Sequence, residues 1–185
     1  MRATEILVIM SAFLVIVYVG IAIWKKKELP ESISATVYEL PKAGQWVWSA
    51  WLAAIAVCLF VPLVERCEWV GWLMEVSLIG AALTPLFKKD TLRWHYVFAI
   101  ITGILSQICV VMLDAMWLGV WMVFVFLFLS SYVQPDGWLG KAMKGKGVFL
   151  AQMVCFVGLT GSLLCRAAAT HVINVTGNTG CDIVI

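Results

Sequence analysis

Apolar residues run along this chain in six long stretches, each closed by charge, proline or glycine. They extend from about Ile6 to Trp24, Trp46 to Val64, Trp69 to Phe87, Trp94 to Leu113, Met116 to Val133 and Val148 to Ala169. Roughly 20 predominantly apolar residues are needed for a helix to cross a bilayer. The stretches lack the apolar–polar alternation of barrel strands. They therefore predict an all-α, polytopic six-transmembrane-helix bundle in a single transmembrane domain, residues 1–185, with a polar tail over 170–185. Connections between the second and third, third and fourth, and fourth and fifth helices are only a few residues long. Those pairs are expected to be antiparallel neighbours. A cleaved signal peptide is the alternative for the first stretch. Its length, its trailing lysines and the lack of a small-x-small site favour a retained anchor.

Charge sets the expected orientation. With Lys25, Lys26 and Lys27 placed inside, the inner set also holds Lys42, Lys88, Lys89, Arg93, Lys141, Lys144 and Lys146. The outer set is Arg2, Arg66 and Arg166. Ten cations against three is a positive-inside pattern with both termini outside. Trp24, Trp46, Trp48, Trp69, Trp94, Trp117 and Trp138 fall at or near helix ends, where amphipathic rings favour the headgroup layer. The inner connection from Glu28 to Gln45 reads as an ordered loop against the inner face, or as a plug or docking segment. Residues 134–147 read as a lysine-bearing linker near anionic headgroups. Halves 1–87 and 88–185 share no repeat.

Composition agrees with a membrane protein: 63% hydrophobic and 13% charged residues, with a mean hydropathy of +0.97. Soluble domains carry about a quarter charged residues. The net charge of +2, without a basic stripe, excludes a nucleic-acid partner. Expected partners are membrane lipids and a second membrane protein or further copies of the chain. The expected location is a bacterial cytoplasmic membrane.

Few ionisable residues fall within the apolar stretches, and those that do are functional candidates. Glu75 lies about 9 Å below the outer end of the third helix at 1.5 Å per residue. Glu68, Trp72 and Glu75 have the spacing of one helix face. With Asp114 and Arg166 they outline an acidic outer vestibule, read either as a structural ion pair such as Glu75 with Arg166, or as a cation or headgroup site. Glu75 could also sit there neutral. Thr102, Ser106 and Cys109 share a face of the fourth helix, with Gln107 beside it. Gln152, Thr160 and Ser162 mark the sixth. Such residues serve as glue between membrane helices, or line a polar pathway.

Cys58, Cys109 and Cys155 read as small buried hydrophobes. Cys67 and Cys181 both fall on the outer, oxidising side and could form a disulfide, with Cys165 as rival partner. Asn174-Val175-Thr176 forms a sequon on that side. His95 and His171 fall on opposite faces, so no three-ligand metal site is evident. No cofactor or catalytic residue is assigned.

The stretch Gly80-Ala81-Ala82-Leu83-Thr84-Pro85-Leu86-Phe87, its short basic loop and His95 resemble small polytopic proteins of the DRAM/Frag-type and wider CREST-like group. The resemblance covers roughly 20 residues. It implies a six- or seven-helix bundle and marks His95. Some members of that group are metal-dependent lipid amidases, and this chain lacks the paired histidines such chemistry needs. The leading expectation is a non-enzymatic membrane protein acting through lipid or partner contacts. A small transporter or channel, or a membrane-embedded lipid hydrolase, are the alternatives.

Overall fold

The computed structural model describes residues 3–27, 29–33, 35–38, 40–86, 92–133 and 144–177. Among them every regular element is helical. Helix α1 spans Ala3–Lys26 and α2 is the single turn Ala35–Tyr38. Helix α3 spans Lys42–Leu83 and runs into a 3-10 turn, Thr84–Leu86. Helix α4 spans Leu92–Asp114, followed by the 3-10 turn Ala115–Leu118, α5 over Gly119–Val133 and α6 over Gly147–Gly177. Four helical stretches are long and apolar enough to cross a membrane: Ala3–Lys25, Lys42–Leu86, Arg93–Phe126 and Gly147–Ala169.

Two of these four reverse direction. In α3 the break is Glu68, with φ 48° and ψ −127°. Ile55 before it and Ala81 after it line the same cavity, although a straight helix would hold them about 39 Å apart at 1.5 Å per residue. The reversal falls where Glu65, Arg66 and Glu68 interrupt the apolar run, because charged side chains are disfavoured in hydrocarbon. The arms close tightly: a Cβ at Gly71 would lie 2.6 Å from the carbonyl oxygen of Leu63. The second reversal separates α4 from α5. Asp114 is extended, and its carboxylate accepts the Met116 N–H at 3.0 Å, capping the 3-10 turn. Trp121 Nε1 then donates to Gln107 Oε1 at 2.7 Å, a pair about 21 Å apart in an unbroken helix.

Apolar side chains of α1, both arms of α3, α4 and α6 share one core, including Val8, Leu59, Met74, Val110 and Leu163. Three buried hydroxyls are satisfied within their own helices, Ser11 donating to Val8 O, Ser77 to Met74 O and Ser162 to Leu159 O, whereas the buried Ser49 Oγ has no partner among the described residues. The outer girdle is apolar. Phe13, Ile16, Val57, Ile100 and Phe126 are all more than half exposed, a surface far more apolar than a water-facing one would tolerate.

Several expectations change. Trp24, Trp46, Trp69 and Trp94 are exposed on the girdle, but Trp48 is only 5% exposed. On a helix, residues two apart point about 200° apart, so Trp46 and Trp48 cannot both face lipid. Trp117 packs its ring against Gly161, where a Cβ would come within 2.4 Å. Helix α6 continues past Ala169 to Gly177. Trp138, Lys88, Lys89, Lys141 and the tail beyond Gly177 lie outside the described residues.

Candidate functional site

Five helical segments surround a central cavity of about 390 Å³, within the usual size range of ligand pockets. Its deep part is hydrocarbon: Ile55, Leu59, Met74, Leu78, Phe156 and Leu159. Its polar groups with long side chains collect at the end where α1 finishes in lysines and α6 begins. That end is crossed by a strap, residues 29–33 and 35–38, of which Ser32 and Ile33 form part of the cavity wall.

A hydrogen-bonded chain pins the strap. Trp48 Nε1 donates to the Tyr18 hydroxyl at 3.0 Å. Thr36 donates to Ile33 O at 2.7 Å, which commits its only hydrogen. The close contact between the Tyr18 and Thr36 hydroxyls therefore has Tyr18 as donor. Ile33 N–H donates to Gln152 Oε1 at 2.8 Å, and Phe149 N–H, one of the unpaired amides of the first turn of α6, donates to Glu31 O at 3.1 Å. Pro30 and Val37 of the strap are buried. Four separate parts of the chain are thus tied together at one mouth.

His95 stands at the same mouth, 1% exposed. Thr84 Oγ1 donates to Ala81 O at 2.9 Å. His95 Nδ1 lies 2.8 Å from Thr84 Oγ1 and 3.0 Å from Ala81 O. A carbonyl oxygen only accepts, so Nδ1 carries the proton and shares it between both oxygens. Nε2 is then a bare lone pair, and it is buried without a hydrogen-bond partner. Tyr38, Trp48 and Tyr96 place their rings 5.9, 6.4 and 6.2 Å from the imidazole.

The residues singled out from the sequence divide between places. Thr102, Ser106 and Gln152 line the cavity. Thr102 donates to Phe98 O and meets Ser77 Oγ at 2.8 Å; Ser106 donates to Gly103 O and accepts from Gln107 Nε2. Gln107 itself borders a shallower groove on the girdle beside Trp121. Glu68 and Glu75 do not share a face. Glu68 is the exposed turn residue and Glu75 is 1% exposed, because the non-helical backbone at Glu68 resets the helical phase. Both Glu75 carboxylate oxygens are buried without a hydrogen-bond partner, so an ion pair of Glu75 with Arg166 is not formed. Arg166 is exposed and Asp114 half-buried in its capping role.

Cys67 is fully buried, its thiol 4.0 Å from Cys109 O. It therefore turns inward, away from an outer partner; Cys165 is a free, exposed thiol and Cys181 lies outside the described residues. Among the described residues, no three of His, Cys, Asp and Glu gather as a metal site would require. Tyr18, Thr36 and Trp48 are site residues that sequence reasoning passed over. The one available signal was a lone tyrosine near the lysine end of an otherwise aliphatic helix.

No protein-family model matches the chain, and no curated protein or solved structure is significantly similar to it.

Proposed function

We propose that this is a six-span, multi-pass membrane protein with both termini outside, which acts without chemistry of its own by holding a lipid chain in its central cavity. The cavity carries this reading: a mostly hydrocarbon interior of about 390 Å³, with its long polar side chains toward one mouth and the helix-bonded hydroxyls of Thr102 and Ser106 deeper, matches a chain with a small head. The reversals at Glu68 and after Asp114 support the count of six, since each turns one long apolar stretch into two antiparallel arms. The lysine excess at the strap end supports placing that mouth inside.

Two outcomes follow. In intact cells, a membrane-impermeant maleimide should label Met116→Cys and miss Lys144→Cys, in a background with Cys165→Ser and Cys181→Ser. Met116 is 86% exposed in the turn after α4, opposite the strap end. Labelling at Lys144→Cys alone would invert the orientation.

Native mass spectrometry of the purified protein should show a retained lipid or fatty chain. Ala151→Phe, which pushes a ring into the cavity wall, should displace about two methylenes. That costs about 1.6 kcal/mol of burial, a little over tenfold in retention. Wild-type protein carrying no lipid, or unchanged retention in the variant, would count against the reading.

A further inference from the structure

The lipid-cavity reading leaves open what head a bound chain would carry, and His95 bears on that directly. Most polar atoms at the strap mouth are already committed. The Trp48 indole N–H goes to Tyr18, Tyr18 goes to Thr36, Thr36 goes to Ile33 O, and the Gln152 carbonyl is occupied by the Ile33 amide. Among the described cavity-lining side chains, the His95 Nε2 lone pair is the exception: it is buried and has no partner.

Buried polar groups are rarely left so, because losing water without a replacement is costly. Its tautomer is not free to change cheaply. Moving the proton from Nδ1 to Nε2 would set the Nδ1 lone pair against the Ala81 carbonyl oxygen 3.0 Å away. The second helical arm of α3 therefore holds the ring by Nδ1, so that Nε2, on a side chain that lines the cavity, accepts and does not donate.

Resting on the lipid-cavity reading, we infer that the ligand is a single-chain amphiphile with an uncharged hydroxyl head, whose O–H donates to His95 Nε2. The surroundings select against other heads. A carboxylate or phosphate would oppose acceptor to acceptor. An ammonium would have to shed its water with no carboxylate among the described residues lining the cavity to pair it. A hydroxyl supplies the one hydrogen the site lacks and carries no charge. The chain behind it would lie toward Leu59, Met74 and Leu159.

The experiment compares three probes on the full-length protein in phosphatidylcholine nanodiscs: dodecan-1-ol, its methyl ether, and dodecane. Affinities are expressed against mole fraction in the bilayer, so that partitioning cancels. The alcohol should bind about tenfold more tightly than the ether, equivalent to about 1.4 kcal/mol, because only the alcohol can pair the orphaned nitrogen. His95→Leu should reduce that preference to within about twofold.

A readout needing no variant is available, since His95 and His171 are the only histidines. In ¹⁵N spectra, the non-protonated nitrogen of His95 should move upfield on adding alcohol and stay put with ether. Equal binding of alcohol and ether, or an Nε2 resonance showing a bound proton, would overturn the head-group assignment and leave the cavity reading standing. Failure of all three probes to bind would overturn both.

Discussion

Gly71→Ala is expected to destabilise the protein by about 3 kcal/mol, the upper end of what overpacking costs. An alanine inside a helix ordinarily gains up to about 1 kcal/mol over glycine, so the expected sign is the reverse of the helix-propensity effect. The cause is a backbone contact. A Cβ at position 71 would lie 2.6 Å from the Leu63 carbonyl oxygen and 2.7 Å from its carbon. Neither atom can swing aside as a side-chain tip could, so the two arms of α3 would have to part. Gly20→Ala is the control, because nothing lies within 4 Å of a Cβ there; it should leave stability unchanged or raise it slightly. The measurement is the unfolding midpoint in a denaturing-detergent titration for both variants. A Gly71→Ala protein as stable as the parent would mean that the arms are not packed this closely.

Glu75→Met should have a large effect of the opposite sign, stabilising the fold by about 2 kcal/mol. Burying a polar group without a hydrogen bond costs about 1–3 kcal/mol in mutational data, and Glu75 is 1% exposed with both carboxylate oxygens unpartnered. Methionine keeps the length and removes the polar atoms. Glu75→Gln should gain much less, since the amide is equally in want of partners. The same titration distinguishes them. A Glu75→Met protein less stable than the parent would show that the carboxyl is engaged with an ion or group that supports the fold. A stabilised variant would instead mark Glu75 as a residue kept at the expense of stability, the pattern expected of functional positions.

The residues that could be read in advance and those that could not differ in a physical way. Trp24, Trp46, Trp69 and Trp94 are exposed at helix ends, where their amphipathic rings were expected. Trp48 has the same side chain and nearly the same position, yet donates to Tyr18 inside the bundle. Spacing along one helix says that Trp46 and Trp48 face apart; it does not say which of them faces the neighbours. Gln152 was visible as a polar residue in an apolar helix, but its partner Ile33 lies 119 residues away. The predicted topology puts Cys67 on the outer side, as a disulfide candidate. The turn at Glu68 directs it inward against α4 instead.

Composition and hydrophobic run length, read from the chain alone, determine that this is an all-helical protein with stretches able to cross a membrane, and where charge interrupts them. These are local properties, because a helix in lipid satisfies its own backbone and needs only its own apolar side chains. The cavity, the strap across its mouth, the tautomer of His95 and the solitary burial of Glu75 were decided only by the tertiary structure. Each depends on which faces of distant segments meet, and hydropathy is blind to that choice when every face is apolar enough for lipid. The six apolar stretches with which the chain announces itself thus carry the architecture, while the site arises from a few polar atoms that packing either pairs or leaves alone.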